Sequence, residues 1–277
     1  MLYVQDGYTP ALGVNHPRIG YNSVIRNALA EASTEVEGNE ADAVLNSLTW
    51  DSWVPTTLPA TLEFTLGQAA SVNYLGIAAH TLYEDGCSFA LDYWDGLNWI
   101  EIQDETAAED TAPIILLFDT VTSDKFRITI TGTTPPAISV VYLGIVLEVA
   151  QRLYQGHSPV NLNEKTVIRP QKSEGGQFLG RSVIREGAQT TIAFSRLTAS
   201  WVRSFYKPFQ DSAIKYPFFF AWRGEDFPSE TAYCWTDRNI GVTNSGPRDI
   251  MSSKFTVDAL IGQEPQVVDY YEYEATT

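Results

Sequence analysis

Leu62, Phe64 and Leu66 are interleaved with Thr61, Glu63 and Thr65, and Gly67 ends the run. A period of two is what a strand shows when one face lies on a core and the other in water. The alternation returns where Phe126, Ile128 and Ile130 are separated by Arg127 and Thr129. Between these runs, residues 88–94 and 99–102 flank Asp95-Gly96, a pair suited to the backbone angles of a tight hairpin turn. Residues 72–79 are mostly apolar without alternation, as expected of a strand covered on both faces, and residues 138–149 close the series. Helical periodicity hardly occurs in this half. Short strands separated by turn signals predict a β-sandwich or jelly roll.

The second half has a different pattern. Residues 189–194, 217–222, 231–235 and 254–260 read as strands. Thr198 is placed to cap a helix in which Trp201, Val202, Phe205, Tyr206 and Phe209 recur at helical spacing as one core-facing stripe. One helix packed on several strands predicts a β-rich domain, either α+β or a β-barrel with a covering helix. Pro159, Pro170 and Gly175-Gly176 mark residues 150–175 as the connection. The expected division is therefore an arm at 1–30, a sandwich at 31–149, a linker at 150–175, a second domain at 176–265 and an acidic aromatic tail at 266–277. Residues 1–20 are candidates for a strand added to the second domain.

The charge is unevenly placed. Residues 1–150 hold four Lys or Arg against twenty Asp or Glu, a net of −16, whereas residues 151–277 hold fourteen of each. So acidic a first half argues against nucleic-acid binding, which needs clustered cations. Two cysteines, Cys87 and Cys234, make no disulfide framework and no zinc site, and are expected as buried thiols. No signal peptide is visible at the start, and the longest apolar stretch, 138–147, is too short to insert across a bilayer. The expectation is a soluble protein made in a cytosol.

Catalysis has little support. His16, His80 and His157 are far apart and have no carboxylate or cysteine companions at metal-ligand spacing. Neither a Gly-x-Ser-x-Gly elbow nor a phosphate-cradling glycine loop is present. No cofactor is expected. Glu35, Glu37, Glu40 and Asp42 carry oxygen ligands that suit calcium, but without an Asp-x-Asp-x-Asp-Gly loop they read as a solvated acidic face.

Residues 31–149 resemble the discoidin (coagulation-factor type C) family, a jelly roll also used in many carbohydrate-binding modules. The matching elements run in order: Ala32-Ser33, Ala41, Leu45-Asn46, Trp50-Asp51-Ser52-Trp53, the strand ending at Gly67, Asp95-Gly96-Leu97-Asn98-Trp99, and Phe126-Arg127-Ile128-Thr129-Ile130. The cysteine pair of secreted animal members is missing. The resemblance implies that Trp99 and one of Trp50 and Trp53 belong to the core. A ligand would then be met by loops at one end of the sandwich, at Trp53, His80, Tyr83, Glu84 and Asp85. On this placement Trp53→Ala removes glycan binding and leaves the fold intact, and failure to fold would return Trp53 to the core.

The second half looks like the structural domain of tailed-phage tail-tip proteins, on Pro217-Phe218-Phe219-Phe220-Ala221-Trp222, Tyr233-Cys234-Trp235 and Gly246-Pro247-Arg248-Asp249-Ile250-Met251. This likeness implies a virion component of the tail tip or baseplate, made in the host cytoplasm. Its partners would be other copies of itself in a ring of six or three, other tail proteins, and a host surface glycan. Arg181, Arg185, Arg223, Arg248, Tyr270 and Tyr271 are the candidate assembly contacts. The alternative is a free-standing carbohydrate-binding protein. The expected fold is mainly β: a discoidin-like jelly-roll sandwich followed by a β-rich domain with one covering helix.

Overall fold

The computed structural model describes residues 1–153, 157–163, 165, 167–185, 187–246 and 249–262, with backbone only at 184 and 185. Two short strands come first, β1 (Leu2–Val4) and β2 (Arg18–Gly20), and they enter different sheets. Then β3 (Leu29–Ala32), β4 (Ala60–His80), β5 (Ser88–Trp94), β6 (Trp99–Ala107), β7 (Ile114–Thr131) and β8 (Ile138–Gly144) build the sandwich, and β9 (Leu147–Glu148) leaves it. β4 and β7 are long enough to serve both layers. Residues 60–65 of β4 pair with 125–130 of β7 in a layer ordered β3-β4-β7-β5-β6. Further along, residues 70–77 pair with 114–123 in the opposite layer, where β8 joins β4 and β1 joins β7 in parallel. The register shift after Thr65 marks the corner, where the alternation read in the sequence stops at Gly67. Leu62, Phe64 and Phe126 from one layer meet Val72, Leu75 and Leu116 from the other in a single core.

A two-stranded hairpin, β10 (Val167–Lys172) with β11 (Phe178–Arg185), precedes the second sheet. Gly175-Gly176 lies in its turn, so the stretch 150–175 expected as a linker includes strand β10 and ends in the hairpin turn. β12 (Ala188–Thr198) leads into residues 199–213, which are helical: α1 (Ala199–Trp201), a π turn (Val202–Tyr206) and α2 (Lys207–Ala213). The Thr198 hydroxyl accepts from the Trp201 backbone N–H at 3.4 Å, as its capping role requires. Pro208 has no N–H to give the ladder, and the looser π turn stands just before it. Val202, Tyr206 and Phe209 are buried, but Phe205 is exposed. The core-facing stripe therefore excludes Phe205, because the π turn carries it off the i, i+4, i+7 line. The remaining strands are β13 (Phe218–Ala221), β14 (Thr231–Trp235), β15 (Val242–Asn244) and β16 (Ile250–Leu260), in a sheet ordered β12-β16-β14-β13-β2-β9 with β15 on β16.

The arm at 1–30 is shared between the two sheets. β1 pairs with β7 of the sandwich, while β2 pairs with β13 and β9. Arg18, fully buried at the start of β2, donates to the Gly13 and His16 carbonyls at 2.7 and 2.9 Å and pairs with Glu148 at 3.3 Å. These bonds, all from the two terminal guanidinium nitrogens, offset part of the penalty for burying a cation, while Nε has no partner among the described residues.

The two halves meet face to face. Phe218, Phe220 and Trp222 point to the core on the helix side of the second sheet, whereas Phe219 and Ala221 join Tyr233, Tyr74, Ala78, Tyr142 and Val140 in a cluster against the sandwich. This explains why 72–79, 138–144 and 218–222 are apolar without alternation: each strand has a packed layer on both sides. The molecule is thus a stack of sheet, sheet, sheet and helix. At Gly76 a β-carbon would stand 2.7 Å from the Phe219 ring, so the close approach of the layers needs glycine there. The Tyr142 hydroxyl donates to the Pro217 carbonyl at 3.1 Å and shares a 2.8 Å bond with the Ser47 hydroxyl. Tyr233 donates to the Ser47 carbonyl at 3.1 Å. Burial pushes the Tyr74 and Tyr233 phenols well above their ordinary value, so both stay neutral donors.

Candidate functional site

The segment 46–53 runs beside β8. Its near end is held by the Ser47–Tyr142 bond, and its far end by backbone hydrogen bonds between Trp53 and Ile138 at 2.9 and 3.0 Å. That second tie directs Trp53 inward. Its side chain is fully buried in the sandwich core, and its indole N–H donates to the Thr34 carbonyl at 3.2 Å. A buried indole has no face to offer a sugar, so Trp53 is corrected from ligand candidate to core residue. The variant Trp53→Ala removes packing from that core and does not isolate a binding surface.

His80 is corrected in the same way. It ends β4, is buried, and has Nε2 3.2 Å from the Ala112 carbonyl. Burial, and secondarily the nearby Met1 ammonium, lower its pKa from 6.5 to about 4. The folded protein therefore resists protonating a group that the unfolded chain protonates readily. Stability contributed by neutral His80 is present above pH 6.5 and is lost as pH falls from 6.5 toward 4. Urea unfolding across this range is expected to show a shallower fall for His80→Gln than for the wild type. Equal slopes would contradict the assignment.

Tyr83, Glu84 and Asp85 occupy the turn after β4. Tyr83 and Glu84 are exposed and Asp85 is half-buried. The turn is closed by backbone bonds from Asp85 to Thr81 and from Cys87 to Leu82, at 2.9 and 2.7 Å. These three stand together, but the structure does not bring Trp53 and His80 to the surface beside them. Cys87 and Cys234 are buried free thiols, one in each half, and burial pushes Cys87 up to about 11.

Trp99 also differs from its expected place in the core. Strand pairing sets it opposite Trp94 on the outer face of the sheet, with ring centroids 5.4 Å apart. The Arg127 guanidinium lies 4.5 Å above the Trp99 ring and binds Asp92 at 2.8 and 3.1 Å. Glu31, Glu63, Arg127, Asp92 and Glu101 are successive cross-strand neighbours on this face. One cation among four carboxylates leaves it acidic.

Of the pair Trp50 and Trp53, one of which was expected in the core, Trp50 is the exposed member, at 70%. Beside it the Asn46 amide donates to the Asp51 carboxylate at 2.8 Å, and Leu48 is exposed as well. Trp50 and Trp53 are both aromatic and only three residues apart, so only the bridge to Ile138 reveals which one turns inward. Glu35 and Glu40 accept backbone N–H bonds within their own loop, from Ala41 at 3.0 Å and Gly38 at 2.9 Å. Among the described residues no group of three or more His, Cys, Asp or Glu converges as a metal site.

Of the candidate assembly contacts, Arg181 is exposed on β11, whereas Arg223 pairs with Asp226 and lies over the Trp222 and Phe227 rings of its own chain. The side chain of Arg185 lies outside the described residues, as do Arg248, Tyr270 and Tyr271 entirely.

Part of the chain is similar to carbohydrate-binding modules. A family 32 module from Clostridium perfringens NanJ, solved in complex with galactose, is 15% identical with a TM-score of 0.40, covering 47% of this chain and 99% of its own. A pectin-binding module is 20% identical with a TM-score of 0.39, covering 44% and 91%. A putative α-L-fucosidase from Bacteroides thetaiotaomicron is 18% identical with a TM-score of 0.39, and the match covers 45% of this chain but 28% of that one. No protein-family model matches the chain, and no curated protein matches it in sequence.

Proposed function

We propose that this chain is a non-enzymatic binding protein whose sandwich takes a carbohydrate on the loop that carries Trp50. The observation behind this reading is the exposure of that indole, 70%, beside the Asn46–Asp51 pair. A flat, stiff aromatic ring stacks on the C–H face of a pyranose with little loss of conformational entropy. The amide and carboxylate next to it supply both donors and acceptors for ring hydroxyls. A glycan array probed with the full chain tests it. Trp50→Ala is expected to weaken the bound glycan about tenfold or more, about 1.4 kcal/mol. Because the side chain is exposed, the unfolding free energy should move by no more than about 0.5 kcal/mol. A silent array, or binding unchanged in the variant, would overturn the reading.

A second reading is a structural component of a phage tail tip or baseplate, resident in the virion, with the second domain joining other copies in a ring. The observation that favours it is the packed junction around Phe219, Tyr142 and Tyr233. It holds the sandwich at a set angle, which suits a scaffold better than a tethered module. Electron microscopy of purified particles tests this, and absence of the protein from them would sink it.

A further inference from the structure

Among the described residues, neither β10 nor β11 pairs with any other strand. All six residues of β10 are exposed. Cross-strand pairing puts Ile168 with Val183, Pro170 with Arg181 and Lys172 with Phe178 on one face, and Phe178 is 65% exposed. A lone two-stranded hairpin is marginally stable in water, and one that bares apolar side chains gains by covering them. What covers this one is indicated by charge. Over the hairpin, residues 167–185, four Lys or Arg accompany a single Glu.

The complementary surface lies on the sandwich. Edge strand β6 exposes Glu101, Asp104 and Glu105, and beside them Ile100 and the turn residue Leu97 are exposed. Mixed apolar and cationic chemistry on the hairpin thus faces mixed apolar and anionic chemistry on β6. We infer that the β10–β11 hairpin docks on the acidic β6 edge of a second copy of this chain. Hairpin and edge are different patches, so the contact is heterologous and builds a reciprocal pair, a ring or an open chain according to its angle. The inference rests on the assembly reading only in needing a second copy, and it leaves the glycan site untouched.

Light scattering on the full chain after size exclusion tests it. The wild type should show a multiple of the single-chain mass at low ionic strength and dissociate as salt screens the pairs. Lys172→Glu with Arg181→Glu should give single chains, and so should Glu101→Lys with Glu105→Lys. An equimolar mixture of the two variants restores opposite charges and should assemble again. Melting curves matching the wild type's would show that each variant is folded. A single-chain wild type, variants that assemble as the wild type does, or a mixture that stays dissociated would overturn the contact. Assembly that ignores both reversals sinks this contact alone, whereas absence from purified particles sinks the tail reading alone.

Discussion

Replacing Gly144 with alanine is expected to lower the unfolding free energy by about 3 kcal/mol or more, at the top of the range for overpacking a close-packed site. Gly144 ends β8, and a β-carbon there would stand well inside van der Waals contact of the Asn22 carbonyl. Relief by moving a side chain is not available, because the obstacle is backbone. Asn22 cannot retreat freely either: its carbonyl accepts the Tyr74 hydroxyl at 2.7 Å, and Gly20, two residues earlier, pairs with Phe219 in the second sheet. A shift at Asn22 therefore strains both halves. Urea unfolding should show a lower midpoint at an unchanged slope. A change below about 0.5 kcal/mol, the level of an ordinary surface substitution, would contradict the packing described at this junction.

Phe219→Ala is expected to cost about 3–5 kcal/mol, as for other buried Phe truncations, and also to change how the protein melts. The ring is fully buried between the halves, with centroids 5.3 Å from Tyr142 and 5.0 Å from Tyr233, over the space left by Gly76. Its removal opens a cavity among hydroxyls whose bonds to Ser47 and Pro217 depend on the rings staying in place. Calorimetry should show one transition in the wild type and two in the variant, because the coupling between halves is weakened more than either core. Phe205→Ala, at an exposed helix position, should leave both the midpoint and the number of transitions unchanged. If Phe219→Ala also melts in one unshifted transition, the junction does not couple the halves.

The strands of the sandwich were legible wherever one face met water, because Leu62-to-Leu66 and Phe126-to-Ile130 carry the period of two. Runs buried on both faces, such as 218–222, announced burial but not what lay on either side. Here the other side is the sandwich itself, supplied by residues as remote in the chain as Tyr74 and Tyr142. The roles of the tryptophans were less legible. Trp50, Trp53, Trp94 and Trp99 carry the same chemistry, and which is buried depends on the single bridge from Trp53 to Ile138 and on the pairing of β5 with β6. Residues 150–175 carried loop composition, so a hairpin exposed on both faces left no alternation to read. Of the segments that carry the resemblance to a tail-tip domain, 217–222 and 233–234 owe their apolar character to the layers packed on both sides of them.

The most direct test of the binding role is a titration of the isotopically labelled full chain with the best glycan from the array, following the indole N–H signals of its seven tryptophans by NMR. The Trp50 signal, assigned by its absence from Trp50→Ala, should shift in proportion to occupancy while that of buried Trp53 stays in place. A titration in which Trp50 stays still and another indole moves would contradict the assignment of the site.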